Sequence, residues 1–144
     1  MSALEYLATI CSGVFAGAAI YINLVAHPAR MAGGTPLAHA EWAPSYRLAT
    51  RMQAPLAVVG GLSGIVASIS GGELEWLATG LLLLSVVPFT LLVMFPTNKA
   101  LLAIGPGEET DRAARLLDRW ARLHAVRTLA GTLSFLFFAA LLAR

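Results

Sequence analysis

Asn23 and His27 lie four residues apart, and His124 and Arg127 three apart, each pair inside or at the edge of a run apolar enough to sit in lipid. Either spacing puts both side chains on one face of a helix. Groups that ionise or hydrogen-bond are costly at membrane depth, so they turn toward protein or a water-lined cavity, and an ionisable one there is a candidate for function. His124 and Arg127 are the sharpest cases. His27, His39 and His124, with Asn23 or Glu41, also offer nitrogen and oxygen ligands of the kind that hold copper or non-haem iron. The chain has no HxxxH and no histidine–carboxylate pair on one helical face, so the spacing by itself selects no metal.

Four elements must position these groups. Hydrophobic residues make up 58% of the 144-residue chain and charged residues 12%, with a mean hydropathy of +0.73, which places it outside the soluble globular range. About 20 mainly apolar residues cross a bilayer. Apolar segments at about 4–26, 54–71, 74–95 and 123–143 therefore predict an all-α, four-helix transmembrane bundle in a single integral membrane domain, 1–144. The predicted helices run over about 4–26, 45–71, 74–95 and 108–143, the last extending into the cytoplasm. The amino terminus shows no basic region or cleavage site of a signal peptide, so the first span is expected to be retained. Cys11 reads as a small packing residue near the start of that span. The formal charge of +2 and the absence of a basic, aromatic pattern argue against nucleic acid, and no Gly-rich fingerprint follows a strand, against a dinucleotide cofactor.

Arg30, Arg47 and Arg51 fall in the expected loop 28–53, and Lys99, Arg112, Arg115, Arg119 and Arg122 in the loop 97–122, whereas only Arg144 lies at the other end. The positive-inside rule then places both long loops in the cytoplasm and both termini outside, in a multi-pass protein of the cell membrane. Ser70-Gly71-Gly72-Glu73 reads as a tight turn between antiparallel neighbours. Gly13 with Gly17 and Gly60 with Gly64 are small-residue pairs that let helices approach, within one chain or in a homodimer. Asp111 with Arg115 and Asp118 with Arg122 predict i,i+4 ion pairs on a solvated face.

With that topology the uncommon polar residues gather at the cytoplasmic ends of all four helices. Asn23, His27 and Arg30 come from the first, and Ser45, Tyr46, Arg47, Arg51 and Gln53 from the entry of the second. Thr90, Thr97 and Asn98 come from the third, and Trp120, His124, Arg127 and Thr128 from the fourth. The opposite ends offer a poorer, less basic set. Pro88 is expected to kink the third helix, because it cannot donate to the carbonyl of Leu84. Pro96 is expected to end that helix by pushing Phe95 out of helical geometry, aiming Thr97 and Asn98 into the bundle mouth.

Three ordered stretches, "GVFAGAAIYINLVAHPARM", "PFTLLVMFPTNKALL" and "DRWARLHAVRTLAG", resemble the anthrone oxygenase-like (DUF1772) family of small integral membrane proteins, and together they span nearly the whole chain. Some members of that family are assigned as oxygenases, oxidoreductases of the monooxygenase kind, that convert a polyketide anthrone to an anthraquinone. The resemblance implies an enolisable aromatic substrate that meets dioxygen. In that reaction His124, with His27 second, would be the base, and Arg127 and Asn98 would hold the enolate oxygen. Asn23 and Thr97 would orient, Arg51 would add a substrate contact, and Trp120, Tyr21 and Phe95 would stack on a flat ring system entering from the membrane. The cofactor is either none or a copper or non-haem iron ion, with His27 and His124 as candidate ligands. The alternative reading is a non-enzymatic membrane protein that binds a lipid or quinone-like molecule, or serves as an assembly partner. Transport has the least support, since no acidic residue lies inside a span.

Overall fold

The computed structural model describes residues 2–71 and 73–144. Among them the chain forms four long helices and no strand: α1 (Ala3–Ala32), α2 (Thr35–Gly71), α3 (Leu74–Leu102) and α4 (Thr110–Leu142). Each is long and apolar enough to cross a membrane, and the fold is that of a multi-pass membrane bundle. Its outward faces carry Ile10, Leu24, Ile69, Leu92 and Leu136, all exposed, which suits a surface solvated by acyl chains. Ser2 caps α1 reciprocally with Glu5.

Between apolar helices in lipid, close packing must supply what the hydrophobic effect does not. Gly61 and Gly80 show this: a Cβ on Gly80 would sit 2.7 Å from the carbonyl oxygen of Gly61, so α2 and α3 touch backbone to backbone. Gly60 packs on Ala8 and Cys11 of α1, and Gly64 on Phe138 of α4, while the surroundings of Gly17 are open. Phe15, Trp76, Leu83 and Phe138 form the core at the end carrying the termini. Trp42, Met94, Leu101, Leu117 and Trp120 form a second core at the opposite end.

Several expected boundaries are corrected. α1 does not stop at 26 but runs through Pro28 to Ala32, and α2 begins at Thr35 rather than 45. The expected loop 28–53 is therefore helix on both sides of a turn at Gly33 and Gly34, where Gly34 takes φ +88°. Pro96 does not end α3: Phe95 is helical at φ −55°, ψ −40°, and the helix continues to Leu102. The physical reason is the same in both helices. A π-helical turn precedes each proline, Ile22–Ala26 before His27-Pro28 and Thr90–Met94 before Phe95-Pro96. The wider turn closes through His27 N–H to Ile22 O and Phe95 N–H to Thr90 O. It rearranges the bonding just where the proline lacks a donor. Leu-Val-Xaa-Xaa-Pro occurs in both, at Leu24–Pro28 and Leu92–Pro96, a repeated device in two helices that run in the same direction.

The disturbance expected from Pro88 is present, as α3 is interrupted at Ser85. The Ser85 hydroxyl donates to the Leu82 carbonyl at 2.6 Å. The tight turn expected at 70–73 includes Gly72, which lies outside the described residues; on either side of it the Ser68 hydroxyl donates to Glu73 O at 2.7 Å. Of the predicted surface pairs, Asp118 and Arg122 meet at 2.6 Å. Arg112 takes Glu109 at 2.7 Å, and Asp111 and Arg115 form no ion pair.

Candidate functional site

His124 is 2% exposed, and its Nδ1 lies 2.6 Å from Asn23 Oδ1 on α1. The Asn23 amide donates its Nδ2–H to the Ala121 carbonyl at 3.2 Å, which orients its oxygen toward the imidazole. The Thr128 hydroxyl, one turn along α4, also donates to that oxygen. An acceptor oxygen opposite Nδ1 requires an N–H there, so a neutral His124 carries its proton on Nδ1 and its lone pair on Nε2. The π-turn Ile22–Ala26 of α1 holds Asn23, so the irregular backbone beside Pro28 helps to place the group that orients His124.

His124 lines a small, partly open cavity of about 20 Å³ with the polar residues Asn98, Trp120, Arg127, Gln53 and Arg30. Helices α1 to α4 all contribute. Arg30, with its side chain 2% exposed, is neutralised by Glu41 at 3.2 Å and donates to the Ser45 hydroxyl at 3.0 Å. Arg127 differs. Its Nη2 donates to Gln53 Oε1 at 3.2 Å and its guanidinium stands 5.6 Å from the Phe15 ring centroid, but it pairs with no carboxylate among the described residues. Several buried atoms of the lining, namely Arg127 Nε, Gln53 Nε2, Trp120 Nε1 and both side-chain atoms of Asn98, have no hydrogen-bond partner among the described residues. Buried polar atoms are nearly always satisfied, so these atoms call for bound water or a polar ligand as partners.

An aromatic cluster fixes this geometry from behind. Trp42 stacks on Tyr46 at 5.0 Å and meets Trp120 edge-on at 6.0 Å, and Trp120 lies 4.9 Å from His124 and 5.4 Å from His27.

The structure thus brings together His124, Arg127, Asn98 and Trp120 of the sequence-predicted residues, with Asn23 behind His124. His27 is buried beside Trp120, and Thr97 is buried next to Asn98, but neither is part of the lining. Tyr21 is 59% exposed, Arg51 is exposed, and both lie outside it. Phe95 instead lines a neighbouring groove. Gln53, Arg30, Ser45 and Tyr46 enter the site without having been chosen as site residues. For Tyr46 and Gln53 the signal was the stripe Trp42, Tyr46, Ala49 and Gln53 on α2, which becomes readable once that helix is known to start at Thr35. Of the histidines, His39 has its Nε2 engaged by the Leu101 carbonyl at 2.8 Å. No group of three or more His, Cys, Asp or Glu residues converges among the described residues.

The sequence model of the anthrone oxygenase family matches residues 42–137, two thirds of the chain. The chain belongs to the anthrone oxygenase family. It is 37% identical over 92 residues to the anthrone oxygenase tpcL of Aspergillus fumigatus, covering 58% of this chain and 57% of that relative. It is 29% identical over 143 residues to an anthrone oxygenase of Claviceps purpurea, covering 86% of this chain and 80% of the relative. No solved structure matches the chain.

Proposed function

We propose that this protein is a membrane oxygenase that oxidises an enolisable, anthrone-like aromatic with dioxygen. The observation that carries the reading is the pairing of an oriented His124, its Nε2 left free, with Arg127, a guanidinium without a carboxylate, at one polar cavity. The methylene of an anthrone is a carbon acid: removing a proton leaves a carbanion delocalised into a phenolate-like enolate. His124 Nε2 takes that proton. Arg127 and Asn98 supply the donors for the developing oxygen anion, and Gln53 holds the guanidinium in place. The electron-rich carbon passes an electron to dioxygen, and recombination forms a carbon–oxygen bond to a peroxide anion, which the imidazolium protonates to the hydroperoxide. Loss of the second methylene proton with cleavage of the oxygen–oxygen bond gives the ketone and water. One oxygen atom ends in the quinone and one in water, and no external reductant enters.

The same residues favour an orientation with the arginine-rich end in the cytoplasm. Oxygen uptake by the protein in nanodiscs with an emodin-type anthrone, corrected for spontaneous autoxidation, tests the reaction. His124→Ala is expected to lower uptake about 100-fold or more, within the range for loss of a general base. Uptake at background by folded wild-type protein would overturn the reading and leave a ligand-binding protein.

A further inference from the structure

The polar cavity, at about 20 Å³, holds little more than a water molecule, so the rings of any polycyclic substrate must lie elsewhere. A groove of about 180 Å³ runs beside it between α2 and α3, and the two share Tyr46, Thr50 and Arg127. We propose that this groove is the lateral entrance and ring-binding subsite, taking a flat, weakly acidic polycyclic phenol from the bilayer and bringing one edge of its ring system to Arg127.

The lining states the chemistry. Ala54 and Ala57 on α2 leave a slot faced by Val87, Leu91 and Phe95 on α3, with Arg127 at its inner end. Leu91 is 61% exposed and Phe95 50% exposed, so the slot opens on the lipid-facing side. Its threonine hydroxyls are already engaged within their own helices, Thr90 with the Val86 carbonyl at 2.6 Å and Thr50 with the Tyr46 carbonyl at 2.8 Å, which leaves the Tyr46 phenol beside Arg127. One cation is then the dominant polar feature of an apolar slot, and it lacks an anion of its own. Larger grooves exist at the opposite end, about 270 Å³ by Glu75, Ala78 and Phe137 and about 300 Å³ by Ser2, Glu5 and Ser70. The first carries Glu75, whose carboxylate Arg144 meets at 3.5 Å, and the second Glu5, and neither lining holds a cation to receive a phenolate or enolate. At 180 Å³ the groove lies below the roughly 300 Å³ at which pockets for drug-sized ligands begin. It fits a thin ring system with one face left against lipid.

This inference rests on the oxygenase reading for the identity of the ligand, and the test separates the two. The probe is 1,8-dihydroxyanthraquinone, a phenolic tricycle without an oxidisable methylene, titrated into protein-loaded and empty nanodiscs and followed by its visible absorption. Ala54→Phe, at an exposed position of α2, is expected to weaken binding at least tenfold, as is Leu91→Trp from the other wall. Ala78→Phe, in the distal groove, should leave it unchanged. Wild-type affinity in both groove variants would overturn the proposal. So would displacement of the probe by equimolar palmitate, which would identify an acyl-chain groove. Oxygen uptake with the anthrone on the same samples completes the separation. Uptake that survives Ala54→Phe unchanged sinks the groove and spares the oxygenase, whereas groove-dependent binding without any uptake sinks the oxygenase and spares the groove.

Discussion

Asn23 acts on His124 through a single hydrogen bond, so its removal separates orientation from the base itself. Asn23→Ala leaves Nδ1–H buried without its acceptor, a loss of about 1–3 kcal/mol, or roughly 5- to 150-fold in kcat if it falls on the transition state. Asn23→Asp keeps an acceptor oxygen at the same place and is expected to recover much of the rate in the oxygen-uptake assay, which a purely structural role for Asn23 would not produce. Arg127 allows a sharper contrast. A guanidinium without a carboxylate gains little from its apolar surroundings, and removing a half-buried, unpaired charge relieves part of a desolvation cost. Arg127→Met is therefore expected to unfold no earlier than wild type in a thermal or SDS titration while losing about 100- to 1000-fold in kcat. Arg127→Lys keeps the charge without the planar fork and should fall between. Equal loss of stability and activity in Arg127→Met would mean that Arg127 serves packing.

The π-turns make the elements around the site testable in turn. Thr97 and Asn98 follow the turn Thr90–Met94, and their burial depends on the extra residue it accommodates. Restoring a donor with Pro96→Ala removes the reason for the wide turn. If the segment relaxes to α-helix, everything after it rotates by about 100° relative to the part before, and Asn98 leaves the cavity. Oxygen uptake should fall while far-UV circular dichroism stays helical; full activity would show that the turn persists without proline. These turns also mark where sequence reasoning stopped. The four spans were legible because hydropathy and length are properties of composition, and the Gly60 and Gly64 contacts because small residues have few uses in lipid. His124, Arg127 and Asn98 were legible because polar side chains at depth are costly. Pro28 and Pro96 misled, since a proline reads as a helix end unless the turn before it can widen, and nothing in local propensity reports that. Gln53 and Arg30 were read among the polar residues at the bundle mouth but were given no role in the site. With α1 and α2 assumed to stop short, the polar stretch between them read as loop rather than as two helical faces.

At the scale of the molecule, four spans put both termini on one side and the turns at Gly34 and Gly107 on the other, and the charge distribution sets which side is which. Arg144 meets Glu75 at 3.5 Å, joining the end of α4 to the start of α3 at the terminal face. Lys99, Arg30, Arg47, Arg51 and the arginines of early α4 lie toward the opposite face, nine of the ten Lys and Arg residues once Arg127 is included. By the positive-inside rule a bias of that size within short connections is the ground for proposing that the basic end faces the cytoplasm. Replacing the lone cysteine by Cys11→Ala and adding Ser2→Cys, Gly34→Cys, Gly107→Cys or Arg144→Cys singly gives four reporters for a membrane-impermeant thiol reagent. In intact cells the terminal pair is expected to label, and the Gly34 and Gly107 positions only after lysis. The reverse pattern would keep the four spans and place the polar cavity toward the outside. Labelling of Ser2→Cys and Arg144→Cys from opposite sides would require an odd number of spans and would overturn the bundle itself. The orientation also bears on the reaction. A ligand drawn sideways from the bilayer needs no passage through either aqueous face, so the groove between α2 and α3 should serve substrate made on either side.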